Sequence, residues 1–214
     1  CIRDSILPHV DEKKDRSFLD KMLKKHYGKL EHVVEAYTSN VDKHTPIHPE
    51  YIADLIDRNA DEDAIFTVDT GMCNVWGARY ITANGKREQI GSFRHGTMAN
   101  ALPQALGAQA ANPGRQVITF SGDGGLSMLM GELLTVKLHN LPIKMFVFNN
   151  SSLGMVKLEM LVQGLPEHET DHDSVNFAKI AEASGIKHFR IEDPKDAPEQ
   201  IKKALAYNGP ALID

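Results

Sequence analysis

Residues 116–125 read QVITFSGDGG, an apolar run that ends in a glycine-rich turn around Asp123. A second apolar run, Ile143–Phe148, ends in the pair Asn149-Asn150. Both runs are short, rich in β-branched or aromatic residues and closed by turn formers, so both are predicted to be buried strands. Met128–His139 between them is predicted to be a helix. That connection would bring the ends of both strands to the same edge of a parallel sheet, where α/β proteins bind their ligands.

The polar residues at this edge favour a magnesium ion that holds a diphosphate. Glycines on both sides of Asp123 allow backbone N–H groups to approach an anion. Asp123 would give the ion a carboxylate oxygen, and Asn150, 27 residues later, an amide oxygen. Magnesium takes about six oxygen ligands, commonly one or two carboxylates together with substrate phosphates. Taken separately, Gly-Asp-Gly is an ordinary turn and Asn-Asn a loop. Paired across one strand–helix–strand unit, they favour the metal site.

The rest of the chain alternates between predicted strands and predicted helices. Further strands are predicted at 64–68, 88–92, 187–191 and 211–213, and further helices at 48–59, 74–82, 99–111, 152–160, 174–184 and 197–207. Such alternation indicates the α/β class. The predicted fold is a three-layer open sheet of about six mostly parallel strands with helices on both faces.

Composition excludes several classes of function. A chain of 214 residues with 42% hydrophobic residues can bury a real core. The net charge of −5 and the lack of a basic stretch argue against nucleic-acid binding. The two cysteines, Cys1 and Cys73, do not make a disulfide framework and fit a reducing compartment. No run reaches 18 apolar residues, so we expect a cytoplasmic protein.

The region before residue 45 differs from the rest. The spacing of apolar residues over Ser17–Tyr37 predicts an amphipathic helix. A polar stretch with Pro46 and Pro49 follows, which predicts a domain boundary near Thr45. His48 is expected to cap the next helix and not to bind a ligand. Because the chain starts without methionine and stops inside a predicted strand, we expect a fragment of a larger enzyme, with 45–214 as one truncated domain.

The two motifs together identify a family. Gly122-Asp123-Gly124, 24 residues and then Asn149-Asn150 resemble the thiamine diphosphate motif of transketolase, pyruvate decarboxylase and acetolactate synthase. Residues 91–101 (GSFRHGTMANA) and 148–154 (FNNSSLG) resemble bacterial pyruvate oxidase, especially the quinone-reducing pyruvate dehydrogenase branch. The resemblance covers nearly the whole chain and is weakest before Thr45. It implies thiamine diphosphate and Mg²⁺, with FAD in the full-length protein, and oxidative decarboxylation of pyruvate to acetate and CO₂ with a quinone as acceptor.

The same resemblance assigns roles to individual residues. Asp123, Asn150 and the carbonyl of Ser152 would bind magnesium. Thr70, Met155 and Glu159 would lie at the substrate. The cofactor-binding set is Gly71, Met72, Cys73, Gly96, Thr97, Met98, Gly122, Asp123, Gly124, Gly125, Asn150, Ser151, Ser152, Leu153, Gly154, Met155 and Val156.

Within that set, two residues would act on the aminopyrimidine ring. The Gly96 carbonyl and the Met98 N–H would bind it, and the Met98 side chain would bend the cofactor. From the residues alone, Met98 is a core methionine at the start of a helix, and Glu159 is an ordinary charged helix residue. Cys73 has no neighbouring base in the sequence that would make it a nucleophile. Relatives usually carry an aliphatic residue at Thr70 and often an aromatic one at Met155, so the substrate pocket departs from the family pattern.

The resemblance also implies partners. The glutamate that activates the aminopyrimidine would come from a pyrimidine-binding domain of a partner subunit, so this chain would hold half of each active site and be inactive alone. The full-length protein is expected to be a homotetramer, cytoplasmic or peripheral at the inner membrane face. Residues 1–44 would be the end of a central flavin-type domain and its connector.

Three alternatives remain open from the sequence. Within the same chemistry, the chain would belong to an acetolactate synthase-type 2-keto acid carboligase. In a different class, it would be a non-catalytic α/β module that binds a nucleotide diphosphate. His168 and His172, four residues apart among carboxylates, would bind zinc if helical. A solvated loop is favoured there, and by resemblance residues 166–173 form a mobile cover near the active site.

Overall fold

The computed structural model describes residues 5–9, 15–40 and 44–214, which fall into two compact units divided after Ser39. The first unit contains a 3₁₀ turn, Leu7–His9, and the helix α1, Ser17–Thr38. The second unit contains all the described strands. Cys1 and residues 41–43 of the predicted linker lie outside the described residues. The assignment of residues 1–44 to a flavin-type domain stays a prediction.

The second unit is built on one parallel sheet of six strands. The strands are β1 (Ile65–Val68), β2 (Glu88–Gly91), β3 (Val117–Gly122), β4 (Lys144–Phe148), β5 (Lys187–Phe189) and β6 (Ala211–Ile213). Their order across the sheet is β2-β1-β3-β4-β6-β5, and every pair of neighbours is parallel. The predicted α/β class and open sheet are confirmed. Parallel sheets are buried on both faces, which is why their strands read as continuous apolar runs.

Helices cover both faces of the sheet. They are α2 (Pro49–Asn59), α3 (Met72–Tyr80), α4 (Ala101–Ala111), α5 (Asp123–Met128), α6 (Glu132–Leu138), α7 (Gly154–Val162), α8 (Phe177–Ala183) and α9 (Ala197–Ala206). Ile65, Val117 and Met145 pack with residues of α4, α6 and α8 in one core cluster. The alternate strand residues Phe66 and Phe120 point to the opposite face, since side chains alternate along a strand. On that side α2 contacts α3 and α9.

Two predicted helices differ from the observed ones. The helix predicted over Met128–His139 is present but shorter, as α6, and a further short helix, α5, lies before it and is separated from it by residues 129–131. Gly124 and Gly125 have low helix propensity, which concealed α5. The Asp123 side chain supports that turn by accepting the Gly124 N–H at 2.8 Å. The helix predicted from Ala99 begins at Ala101, because Ala99 itself adopts a left-handed backbone conformation (φ 62°).

The strand order creates a switch point between β1 and β3. From β1 the chain moves to β2 on one side, and from β3 it moves to β4 on the other. In open α/β sheets the connections diverge at such a point and leave a crevice at the carboxyl ends of the strands. Asp69 follows β1 and Asp123 follows β3, so both carboxylates lie at this crevice.

At the amino ends of the strands, opposite the crevice, the side chain of Lys144 is buried. Lys144, the first residue of β4, is 3% exposed. Its Nζ donates to the carbonyls of Tyr207 and Gly209, the latter at 2.7 Å, and so ties β4 to the segment before β6. Burial lowers the pKa of Lys144 to about 8. A lysine in the unfolded chain has a pKa of about 10.4, so folding favours the neutral amine between these two values.

The pH dependence of stability tests this account of Lys144. Between about pH 8 and 10.4 the unfolded chain binds more protons at this residue, so its contribution to the unfolding free energy rises with pH. Lys144→Met removes that contribution. Tyr51 and Cys73 also titrate at high pH, so the informative quantity is the difference between the two proteins in urea unfolding. We expect the unfolding free energy of the original chain, relative to the variant, to increase from pH 8 to 10. Parallel curves would contradict the account.

Candidate functional site

Asp123 joins the ends of two neighbouring strands. It directly follows β3, begins α5 and is 3% exposed. Its Oδ1 accepts the Gly124 N–H, and its Oδ2 accepts the N–H groups of Asn150 at 3.1 Å and Ser151 at 2.5 Å. Asn150 and Ser151 belong to the loop after β4. The structure therefore brings Asp123 and Asn150 to the same edge of the sheet.

The loop after β4 carries the other two predicted magnesium ligands. Asn150 is exposed, and its Oδ1 accepts the Ser152 N–H at 3.3 Å. Ser151 adopts a left-handed backbone conformation (φ 55°), which is uncommon for a residue with a side chain. That conformation directs its N–H to Asp123. Carboxylate, amide and carbonyl oxygens are the donors that magnesium prefers, so the residues at this turn fit the ion chemically.

Close packing at two glycines gathers the predicted cofactor residues. A Cβ added to Gly124 would lie 3.0 Å from Leu153 Cδ2 and 3.5 Å from Met98 Cε. A Cβ added to Gly154 would lie 3.2 Å from the Asn150 amide nitrogen. The Met98 side chain is thus next to the turn that follows Asp123, although 25 residues separate them in the sequence. The predicted pyrimidine and diphosphate residues occupy one site.

A second buried carboxylate, Asp69, lies at the end of β1. It is 2% exposed, and its Oδ1 accepts the Asn100 N–H at 2.7 Å, the Asn100 side-chain amide at 3.2 Å and the Ala101 N–H at 3.3 Å. Burial raises the pKa of Asp69 to about 6, against the hydrogen bonds from Ala101, Asn100 and Ala99 that lower it. Sequence reasoning placed Asp69 at a strand end but gave it no role.

The turn after Asp69 leads to the N-terminus of α3. A Cβ at Gly96 would lie 3.8 Å from Thr70 Cγ2, so the predicted substrate residue Thr70 is next to the predicted pyrimidine residue Gly96. Gly71 has φ 127° and precedes α3, a conformation that strongly favours glycine. The free N–H groups of a helix N-terminus favour a phosphate.

Cys73 is buried, and that burial raises the pKa of its thiol, which agrees with the prediction that it is not a nucleophile.

The remaining predicted residues differ in exposure. Thr97 is exposed, and its carbonyl accepts the Asn100 side-chain amide. Met155 is half-buried near the start of α7, while Val156 and Glu159 are exposed. Met155 and Glu159 are four residues apart and therefore lie on the same face of the helix. Their roles at a substrate stay predictions.

The segment 170–172 covers the loop after β4. The Leu153 N–H donates to the Thr170 carbonyl at 2.8 Å, and the His172 N–H donates to the Ser151 carbonyl at 3.0 Å. His172 Nε2 lies 3.6 Å from Asp123 Oδ2. The resemblance predicted a cover at 166–173 near the active site, but the individual contacts of Thr170 and His172 were not predicted, because these two residues carry no motif of their own.

Ion pairs join residues 167 and 171 to α7. Lys157 Nζ lies 2.6 Å from a carboxylate oxygen of Glu167 and 2.9 Å from one of Asp171. The Ser152 hydroxyl and the Lys157 ammonium hold the pKa of Asp171 at about 2. His168 lies in a stretch without helix, so the helical spacing that a zinc site needed is not present. In the described part of the chain, no group of three His, Cys, Asp or Glu residues is placed to hold a metal ion.

Two further predictions concern residues outside the crevice. His48 precedes α2 at the capping position, but its side chain makes no capping hydrogen bond, and its ring stacks on His44 with centroids 4.1 Å apart. Asn149, the first residue of the Asn-Asn pair, donates to the Val175 carbonyl and to the Asp214 carboxylate. Asn149 therefore links the end of β4 to Val175 and to Asp214, which follows β6, whereas Asn150 contacts Asp123. Within the described residues, no helix combines the length and apolarity needed to cross a bilayer.

Comparison with known proteins gives a family match over most of the second unit. Residues 69–214 match the model of the thiamine pyrophosphate enzyme, C-terminal TPP binding domain. The chain is 31% identical over 208 residues to a putative thiamine pyrophosphate-containing protein, YdaP, of Bacillus subtilis, which covers 96% of this chain and 35% of that protein.

Acetolactate synthases are among the other relatives. The large subunit from Porphyra purpurea is 37% identical over 177 residues, covering 80% of this chain and 29% of the relative. The large subunit from Lactococcus lactis is 35% identical over 170 residues, covering 78% and 29%. The chain thus spans about a third of the length of these relatives or less.

The packing at Gly125 can be tested with a matched pair of variants. A Cβ at Gly125 would lie 2.2 Å from Asp69 Oδ2, whereas a Cβ at Gly131 would meet no atom within 4 Å. Gly125→Ala forces the buried carboxylate to move, and we expect it to lower the unfolding free energy by about 1–3 kcal/mol. Gly131→Ala, at a helical φ of −56°, is expected to be neutral or to stabilise by up to about 1 kcal/mol. Urea unfolding measures both, and equal stabilities would refute the close contact.

Proposed function

Because the chain belongs to the thiamine pyrophosphate enzymes through their C-terminal TPP-binding domain, we propose that it binds the diphosphate of thiamine diphosphate, together with Mg²⁺, at the switch point of its sheet. The observation that carries the proposal is the contact of the buried Asp123 carboxylate with the N–H groups of Asn150 and Ser151. This contact fixes a carboxylate beside an amide on two adjacent strand ends. A hard cation and a phosphate can both be held there.

Charge favours a metal ion as the main counterion of the diphosphate. No lysine or arginine belongs to the predicted cofactor-binding set, and the chain has a net charge of −5. The positive potential available at the crevice comes from backbone N–H groups and from the start of α3. A diphosphate carries more negative charge than these dipoles offset. In this proposal, Asp123, Asn150 and the Ser152 carbonyl hold Mg²⁺, and the ion in turn holds the phosphate oxygens.

The other residues of the site would orient the organic part of the cofactor. When bound, thiamine diphosphate supplies an electron sink for reactions of 2-keto acids. The chain's own contribution is positional: Met98 lies against the diphosphate turn at Gly124, and Gly96 lies beside Thr70. In this arrangement Gly96 and Met98 bind the aminopyrimidine. Residues 170–172 exclude water from the proposed magnesium ligands.

For the reaction itself, the relatives favour carboligation over the pyruvate oxidation that the motifs suggest. Acetolactate synthases match 78% to 80% of this chain at 35% to 37% identity. We therefore propose an acetolactate synthase-type 2-keto acid enzyme as the first candidate. Pyruvate oxidation with FAD and a quinone is the second candidate, supported by residues 91–101 and 148–154. Thr70, Met155 and Glu159 are proposed to shape the substrate pocket in either case.

The chain is proposed to be one part of a longer, oligomeric enzyme. Its named relatives are about three times as long. The glutamate that activates the aminopyrimidine is proposed to come from a pyrimidine-binding domain of a partner subunit, in a homotetramer located in the cytoplasm or at the inner membrane face. Exposed apolar side chains on α6 and on α7, among them Leu138, Leu161 and Val162, support subunit contacts at these helices.

Cofactor binding by the chain tests the first part of the proposal. Calorimetric titration with Mg²⁺ is expected to show binding of thiamine diphosphate in preference to ADP. Asp123→Asn is expected to weaken Mg²⁺-dependent binding by about 100-fold or more, beyond what loss of an outer-shell partner costs. Asp63→Asn removes an exposed carboxylate at the opposite edge of the sheet and should leave binding unchanged. Preference for ADP would instead support a nucleotide-binding module.

The reaction is tested in the complete protein that contains this chain. With pyruvate, thiamine diphosphate, Mg²⁺ and FAD, the first candidate predicts acetolactate as the product without net reduction of the flavin. The second candidate predicts bleaching of the flavin absorbance and release of acetate and CO₂. The 214-residue chain alone is the control and should give neither product, because the activating glutamate is absent. Turnover by this chain alone would contradict the shared active site.

A further inference from the structure

Asp69 contacts two separate parts of the candidate site. Its carboxylate lies at the end of β1, with one oxygen directed to the loop 96–101 and the other to the turn that follows Asp123. We propose that Asp69 is a positioning residue that fixes the separation between this loop and this turn, and thereby between the pyrimidine and diphosphate ends of the cofactor. The inference rests on the proposed function and adds a residue to which the sequence assigned no role.

On the side of the loop 96–101, Asp69 accepts hydrogen bonds from N–H groups at the start of a helix, where the helix itself offers no acceptor. The N–H groups of Asn100 and Ala101 lie at the start of α4, where a helix leaves its first N–H groups without internal partners. Asp69 Oδ1 accepts both, and it also accepts the Asn100 side-chain amide. That amide in turn donates to the Thr97 carbonyl at 2.6 Å. The chain between Gly96 and Ala101 is therefore anchored on both sides of Met98 through one carboxylate.

On the turn side, Asp69 packs against the backbone. A Cβ at Gly125 would lie 2.2 Å from Asp69 Oδ2 and 3.4 Å from the Ala99 nitrogen. Only glycine allows the first turn of α5 to approach the carboxylate this closely. Gly124, one residue earlier, meets Met98 on the same side. The distance between Met98 and the diphosphate turn thus depends on the carboxylate that lies between their backbones.

The energetic cost of this arrangement points to a role beyond capping a helix. No salt bridge joins Asp69 to a cation among the described residues, and its burial disfavours the charged form. A serine hydroxyl would offer the start of α4 an acceptor without burying a charge. A carboxylate accepts hydrogen bonds and donates none, which suits Oδ1 as the shared acceptor of the Asn100 and Ala101 N–H groups and lets Oδ2 pack against Gly125. Asparagine in its place would turn one acceptor into a donor.

Asp69→Asn is the test, with Asp54→Asn as the matched control. Asp54 is also a buried aspartate whose pKa is raised by burial, but it lies on α2 and pairs with Arg58 outside the site. Amide hydrogen exchange is measured on the chain without ligand. In Asp69→Asn we expect protection at Asn100 and Ala101, whose N–H groups Asp69 accepts, to fall by about tenfold or more, the scale of one hydrogen bond to a charged group. Asp54→Asn should leave these amides unchanged.

Ligand binding separates positioning from general damage. For Asp69→Asn we expect the Kd of Mg²⁺-thiamine diphosphate to rise by about tenfold or more, while the Kd of Mg²⁺-pyrophosphate changes by less than about threefold, because pyrophosphate contacts only the turn side. A merely structural defect would weaken both ligands equally. Equal weakening, or a loss of exchange protection spread over the whole chain, would overturn the inference.

The proposed function can fail independently. If the original chain binds neither ligand, the cofactor proposal for the isolated chain is refuted. The exchange experiment would still decide whether Asp69 holds the loop 96–101, because it needs no ligand. Unchanged protection at Asn100 and Ala101 in Asp69→Asn would refute the positioning role whatever the binding data show.

Discussion

The structure of the site depends on one contact, that of the Asp123 carboxylate with the N–H groups of Asn150 and Ser151. It joins the carboxyl ends of β3 and β4, whose last residues, Gly122 and Phe148, are register partners in the sheet. A buried carboxylate is costly unless it is hydrogen-bonded, and here backbone groups of two loops satisfy it. Ser151, which donates one of these hydrogen bonds, has a left-handed backbone conformation. Strain of this kind persists where the surrounding structure requires it, commonly at functional sites.

Carboxylates at two strand ends organise the crevice from opposite sides. Asp123 binds the loop after β4, and Asp69 binds the loop before α4. Between them the turn has no room for a Cβ at Gly125, where Asp69 occupies the space, and little room at Gly124, where Leu153 and Met98 pack. Glycine here provides close approach of neighbouring groups, which is a different use from the positive φ angle of Gly71. The shape of the candidate site therefore depends on close packing around these glycines as well as on the chemistry of its polar groups.

Membership of the family indicates the class of cofactor, whereas the reaction depends on the residues at the substrate. The family match identifies a thiamine pyrophosphate enzyme domain without naming a reaction, and the proposed diphosphate turn and metal ligands name none either. The residues proposed for the substrate side, Thr70, Met155 and Glu159, lie on other elements and carry no motif of their own. Short resemblances pointed to pyruvate oxidation, whereas the longer alignments favour acetolactate synthases. Identity over 170 residues or more weighs more than two short segments, since it samples the whole domain.

The sequence by itself determined the fold class, the positions of the strands and the pairing of Asp123 with Asn150. Apolar runs closed by turn residues are local signals, and parallel strands must end at the same edge, so local pattern was sufficient. Tertiary structure alone decided the rest. Asn149 proved to bind Val175 and Asp214 rather than the crevice, α5 formed despite its glycines, and Asp69 and His172 reached the site through contacts between distant segments. A hydrogen bond between residues far apart in the chain leaves no periodic trace in the sequence, because its geometry exists only once the sheet has assembled.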